Sequence, residues 1–188
     1  MAIKFKHSEE FTTYFVTFTC YKWISLFEIP ISYDIVYNWF NILKVDGIDI
    51  IGYVIMPNHV HTIIHFPSPG YNLNKTMSNA KQFMAYEIVN RLENSTNNKV
   101  LQELGSNLTQ REINKGQKHK IFKDSFDAKP IYADKFLFQK LDYIHGNPVK
   151  GKWTLAKENI GYEHSSASFY EINEVKHFSP KHYKDLWV

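Results

Sequence analysis

The run from Ile48 to Phe66 (IDIIGYVIMPNHVHTIIHF) constrains the fold more than any other part of the chain. Ile48 to Met56 is a short apolar run and His59 to Phe66 alternates, while Pro57-Asn58 between them is a turn pair. Two antiparallel strands joined tightly are predicted, forming the centre of a sheet. Side chains two apart on a strand point the same way, with Cα atoms roughly 6.5 Å apart, so His59 and His61 can converge on one metal ion. Val60 then packs on the opposite side. His-x-His also arises by chance, and a strand histidine is often a plain surface or core residue. His65 shares the face but lies roughly 13 Å beyond His61, too far to join the pair, and reads as structural.

The rest of the chain supplies partners for that hairpin. Thr12 to Tyr21 (TTYFVTFTCY) is aromatic and β-branched with partial alternation, hence a strand. From Pro30 to Val45 the residues Ile35, Trp39, Ile42 and Leu43 recur at helical spacing, and Asp46-Gly47 supplies a stop. Residues 73 to 93 carry Met77, Ala80, Met84, Ile88 and Leu92 at steps of three and four, a second helix that ends at the polar stretch Asn94 to Asn98. Residues 94 to 118 are polar, with a short helix around Val100 to Leu104 as the one element suggested there. A further strand comes from Lys120 to Phe122 or from the segment through Tyr132. Asp134 to His145 is helical, with Phe136, Leu137, Leu141 and Ile144 on one side. The order strand, helix, strand, strand, helix, strand is that of an α+β, ferredoxin-like split β-α-β antiparallel sheet with helices on one face, here followed by an extra C-terminal helix. Residues 1–188 are expected to form one domain, with a core at about 10–155 and an irregular extension at 156–188.

Composition excludes several classes. With 44% apolar and 16% aromatic residues the chain can build a core and is not a disordered segment. Cys20 is the only cysteine, which rules out an internal disulfide or a thiolate zinc site and fits a reducing cytoplasm. The N-terminus lacks the apolar run of a signal peptide, and the Ile48 to Phe66 stretch is broken by polar residues, so neither secretion nor membrane spanning is expected. A net charge of +3 is too mild to announce nucleic acid by itself. The lysines are unevenly spread, however, and Lys118, Lys120, Lys123, Lys140 and Lys150 are the candidates for phosphate contacts, with a solvated lysine-rich surface as the plain alternative.

In the segment LDYIHGNPVK, Tyr143 and Asn147 are four apart and project from one helix face if the helix persists. Gly146 and Pro148 argue for a helix end there, which leaves Gln139, one turn before Tyr143, as a weaker substitute for Asn147. Met56-Pro57-Asn58-His59-Val60-His61 followed by Tyr143-Ile144-His145-Gly146-Asn147-Pro148-Val149-Lys150 resembles the REP-associated tyrosine transposases and their single-tyrosine insertion-sequence relatives in the HUH endonuclease superfamily. The strand Tyr14 to Thr19, Gly52-Tyr53-Val54-Ile55 and Phe122-x-x-Ser125-Phe126-Asp127 agree with it. The resemblance implies that His59 and His61 bind a divalent cation, that Asn147 completes the site, and that Tyr143 is the nucleophile.

A tyrosine with its ordinary pKa of about 10 is a poor nucleophile at neutral pH, so the phosphate must be activated. Two imidazoles and an amide leave positions open for phosphate oxygens around Mg²⁺ or Mn²⁺, acting as Lewis acid and template. Attack would give a 5′-phosphotyrosine and a free 3′-hydroxyl, which conserves the bond for strand transfer without ATP. The implied partner is single-stranded or hairpin DNA, handled by a monomer or a homodimer. The main rival is a non-catalytic ferredoxin-like nucleic-acid-binding module or an inactive domesticated relative. A two-histidine phosphoesterase would need paired His-x-Ser/Thr motifs on strands, and only His164-Ser165-Ser166 and His177-Phe178-Ser179 fit, neither on a convincing strand.

Overall fold

The structure, a computed structural model, describes residues 10–95 and 97–186. The N-terminal stretch read for a leader and Thr96 of the polar stretch lie outside the described residues. Four strands, β1 (Thr13–Thr19), β2 (Asp49–Met56), β3 (His59–His65) and β4 (Asp127–Pro130), form one antiparallel sheet in the order β2-β3-β1-β4. The α+β ferredoxin-like topology is therefore the one the element order predicts. Met56 pairs with His59 across Pro57-Asn58, so the central hairpin is closed by two residues as expected.

Helices α1 (Tyr33–Val45) and α2 (Leu73–Asn94) cover one face. Their stripes of Ile35, Val36, Trp39, Phe40 and Leu43, and of Met77, Ala80, Met84, Ile88 and Leu92, close over Tyr14, Val16 and Phe18 of β1 and Val60 and Ile64 of β3. Ile42, expected on the inner face of α1, is 49% exposed. The buried stripe runs through positions 36 and 40 instead, which places Ile42 off its edge.

Helix α5 (Asp134–Gly146) lies on the opposite face, where Leu137, Leu141 and Ile144 pack on Phe15, Ile51, Val54, Met56 and Ile63. A bulge in β2 lets the helix approach. The register shifts between Ile50 and Gly52, and a Cβ on Gly52 would stand 2.5 Å from Leu141 Cδ2. A larger residue here requires the Leu141 side chain to turn aside or the helix to move.

The polar excursion holds two short helices, α3 (Asn98–Gly105) and α4 (Gln110–Asn114), the second begun by a Thr109–Glu112 capping box. The fourth strand is 127–130, not 120–122. Phe122 makes only an isolated bridge to Cys20, while Asp127 to Pro130 pair with Thr17 to Tyr14.

Residues 156–188 were expected to be irregular, and their described part contains a helix, α6 (Ala167–Ile172), within a segment that covers the β2 edge. Ile55 N donates to His164 O, Ser166 N to Tyr53 O and Lys181 N to Ile50 O, so this tail pairs with backbone N–H and C=O groups along the β2 edge. Among the described residues no helix is long and apolar enough to cross a membrane.

Candidate active site

Alternation along β3 puts His59 and His61 on the α5 face, with ring centroids 4.7 Å apart. Both rings are buried. Each has a partner on Nδ1: Asn58 Oδ1 lies 2.7 Å from His59, and Thr17 Oγ1, opposite His61 in the register, lies 2.7 Å from that ring. The Asn58 amide nitrogen donates to Trp23 O at 2.9 Å, so its oxygen must accept from His59. That fixes His59 as the Nδ1–H tautomer and leaves the Nε2 lone pair for a ligand, the arrangement usual for a metal-bound imidazole. Burial holds both rings neutral, His59 down to about 4 with Lys152 adding to the effect, and His61 down to about 3 with His59 and Lys140 adding.

Helix α5 carries two parallel stripes. Leu137, Leu141 and Ile144 seal against the sheet; Phe136, Lys140, Tyr143 and Asn147, one residue earlier in phase, form a second stripe whose Tyr143 and Asn147 line the cleft. Asn147 has φ −60° and ψ −42° despite the proline after it, so helical geometry continues through it and Tyr143 and Asn147 stay on one face. The chain then tightens into a 3₁₀ turn at Asn147–Val149.

Asn147 lines the cleft together with His59, and its side chain offsets part of the effect of burial on that ring. Gln139 is exposed and does not border the cleft. No group of three or more His, Cys, Asp or Glu suited to a metal is found among the described residues, so the donor set gathered here is two neutral imidazoles and one amide.

Tyr143 is 47% exposed, with its ring edge-on to His61 at 5.1 Å and to Phe15 at 5.9 Å. Phe15 stacks on His61 at 5.6 Å, so the tyrosine, the histidine and the sheet are packed as one unit. The cleft they border measures about 520 Å³ and is also walled by Trp23, Lys150, Lys152 and Trp153.

The lysines expected to meet phosphate divide into two sets. Lys140 lies over the Phe15, Phe136 and Tyr143 rings, Lys150 borders the cleft, and Lys123 sits 4.2 Å from the Trp23 ring centroid. Lys120 is half-buried between Glu112 at 2.7 Å and Asp124 at 3.1 Å, an ion-pair centre whose charge is already matched. Lys118 is exposed and does not border the cleft.

His65 bonds Thr13 and His145 bonds Ser166, both away from the cleft. His164 and His177 do meet, with ring centroids 5.3 Å apart. Their rings are stacked, however, and His164 Nδ1 is held by Tyr37 and His177 Nε2 by Glu163. Asn58, Thr17, Trp23 and Lys152 belong to the site without having been singled out from sequence. Asn58 was legible as a turn residue only, and Trp23, just after a strand, carries no periodic signal.

Comparison with known proteins fits this picture. A solved structure of a REP-associated tyrosine transposase bound to a REP hairpin superposes with a TM-score of 0.63 at 18% identity, covering 96% of this chain and 93% of that one. At that identity it speaks for the fold. A crystal structure from Deinococcus radiodurans R1, described as a transposase, is 11% identical over 71% of this chain and 88% of that one, with a TM-score of 0.44. No curated protein matches the sequence. The family model described as Transposase IS200 like matches residues 12–105, from β1 through α3, which includes both histidine-bearing positions and stops short of Tyr143. That match spans half of the 188 residues, and the chain belongs to the IS200-like transposase family.

Proposed function

We propose that the cleft between β3 and α5 nicks single-stranded DNA and transfers the cut strand, with Tyr143 as the nucleophile. The observation that carries this reading is the position of Tyr143, half exposed and edge-on to His61, with Asn147 one turn later lining the same cleft as both histidines. Family membership supports the reaction class. The similar structure bound to a REP hairpin supports a hairpin-containing DNA substrate; an unpaired cleavage site beside the hairpin is part of this proposal.

His59, His61 and Asn147 would hold Mg²⁺ or Mn²⁺, and their donor set suits the role: both rings stay neutral, His59 presents Nε2, and an amide adds a neutral oxygen. When bound, the ion supplies Lewis-acid polarisation of the scissile phosphate. The chain's own residues do the rest. Lys140 and Lys150 neutralise phosphate charge and orient the strand, and Phe15 with His61 keeps the Tyr143 ring in place.

Tyr143 Oη loses its proton to solvent and bonds to phosphorus as the bond from phosphorus to the 3′-oxygen breaks. The 3′-oxygen leaves as a hydroxyl, and the 5′-phosphotyrosine keeps the energy of the original diester. A second 3′-hydroxyl reverses the step at a new junction. A cytoplasmic setting accords with this substrate and with the single cysteine, Cys20.

The test is incubation with labelled single-stranded hairpin DNA and Mg²⁺ or Mn²⁺, followed by denaturing electrophoresis. A covalent protein–DNA adduct is expected, absent from Tyr143→Phe and abolished by chelation. Cleavage with no adduct would point to a water nucleophile, and an adduct that persists in Tyr143→Phe would overturn the assignment.

A further inference from the structure

Two tryptophans at the mouth of the cleft take no part in the chemistry above. We infer that Trp23 and Trp153 are stacking walls for one unpaired nucleobase beside the phosphate that Tyr143 attacks. The inference rests on the DNA-nicking reading for the identity of the strand.

Both indoles border the cleft, and both approach the same imidazole: Trp23 lies 5.8 Å from the His59 ring at an interplanar angle of 79°, and Trp153 lies 6.3 Å from it at 45°. Each also carries an ammonium over its ring, Lys123 at 4.2 Å on Trp23 and Lys152 at 5.4 Å on Trp153. An aromatic platform flanked by lysine is the common composition of single-strand binding surfaces. Every base has a π-face to stack, and the adjacent ammonium meets the backbone phosphate.

The backbone at Trp23 shows that its exposure is imposed. Lys22 and Trp23 have φ values of +51° and +62°, two consecutive non-glycine residues in the left-handed region. That conformation is unfavourable for L-residues and persists only where the surroundings hold it.

Here Trp23 N donates to Cys20 O, and the Asn58 amide donates to Trp23 O. The same Asn58 side chain accepts from His59 Nδ1, so one residue sets the indole and the imidazole in a fixed relation. The result is a tryptophan held 50% exposed beside the histidine pair, while Trp39, free of such constraint, is 3% exposed in the core between α1 and the sheet. A base inside a duplex is paired and stacked and does not present its π-face to an indole, so stacking on these rings favours unpaired DNA over duplex.

The experiment uses the full chain carrying Tyr143→Phe, without added metal, so that binding is read apart from cleavage. Fluorescence anisotropy follows a short random-sequence single-stranded oligonucleotide and the corresponding duplex at one salt concentration. Trp23→Ala and Trp153→Ala are each expected to weaken single-strand binding by about fivefold to a hundredfold. Duplex affinity should change by less than about twofold, and Trp23→Phe should restore most of the single-strand loss, because a phenyl ring still stacks. Single-strand affinity unchanged in both alanine variants would overturn the proposal. So would equal losses on duplex and single strand, or a Trp23→Phe variant as weak as Trp23→Ala. Failure to find a covalent adduct on any hairpin would remove the nicking reading and leave this binding result standing on its own measurement.

Discussion

On one side of the sheet, α1 and α2 close over aromatic and aliphatic side chains that are almost fully buried. On the other side, α5 covers only part of the surface, and the strip it leaves open carries His59, His61 and Thr17. The same strands build both faces, because alternate residues of β1 and β3 point opposite ways. Phe18 and Val60 seal the first face, while Thr17 and His61, their neighbours in sequence, furnish the second. A fold that concentrates its packing on one face can hold buried, neutral imidazoles and a strained Trp23 backbone on the other.

That contrast should show most strongly in acid. His59, His61 and His145 all serve the α5 side and are pushed by burial to about 4, 3 and 4 respectively, below the ordinary histidine value of 6.5. As pH falls from 6.5 toward 4 the unfolded chain takes up these protons first. Stability is thus complete above about pH 6.5 and declines below it, by on the order of 1 kcal/mol per pH unit for each ring. Urea unfolding at pH 7.5 and at pH 5 measures this, and an unchanged midpoint would break the distinction between the faces.

On the sealed face, Phe40→Ala removes a fully buried ring from between α1, Tyr53 and Phe178 and is expected to cost about 3–5 kcal/mol in urea unfolding. Under folding conditions adduct formation should remain near that of the parent chain. Gly52→Ala tests how the faces are joined, since its added Cβ would stand 2.5 Å from Leu141 Cδ2 and is expected to push the tyrosine helix outward. Adduct formation should fall by as much as about a hundredfold, as catalytic groups displaced by an ångström do, and Leu141→Ala in the same chain should recover part of it. Full activity in Gly52→Ala alone would show that the docking depth of α5 is not critical. The smallest effect is expected for Asn58→Ala, which frees the His59 ring and Trp23. Isothermal titration with Mn²⁺ should show affinity about tenfold to a hundredfold weaker, with little change in fold by circular dichroism.

How far the sequence alone reached differs from element to element. The hairpin, α1, α2 and α5 were legible because each is a local repeat: alternation around Pro57-Asn58, and apolar residues at three- and four-residue steps. The fourth strand stayed undecided between 120–122 and the segment through Tyr132 because Asp127-Ala-Lys-Pro has no strand pattern and is extended only by pairing with β1. The tail looked irregular because its order comes from bonds to β2, more than a hundred residues earlier in the chain.

The site divides in the same way. Sequence by itself determined that His59 and His61 share one face of a strand and that Tyr143 and Asn147 would fall one turn apart on a helix that continued, since both relations follow from the repeat of a single element. Only the tertiary structure decided that the two pairs face each other, that helical geometry runs past Gly146 into Asn147 despite Pro148, and that Asn58 ties His59 to Trp23. It also decided that Lys120 is matched by Glu112 and Asp124 while Lys140 lies over the Tyr143 ring and Lys150 borders the cleft. Periodicity fixes direction within an element; the distance between elements is set by which buried surfaces meet, and here by a glycine in β2 that lets α5 lie against the sheet.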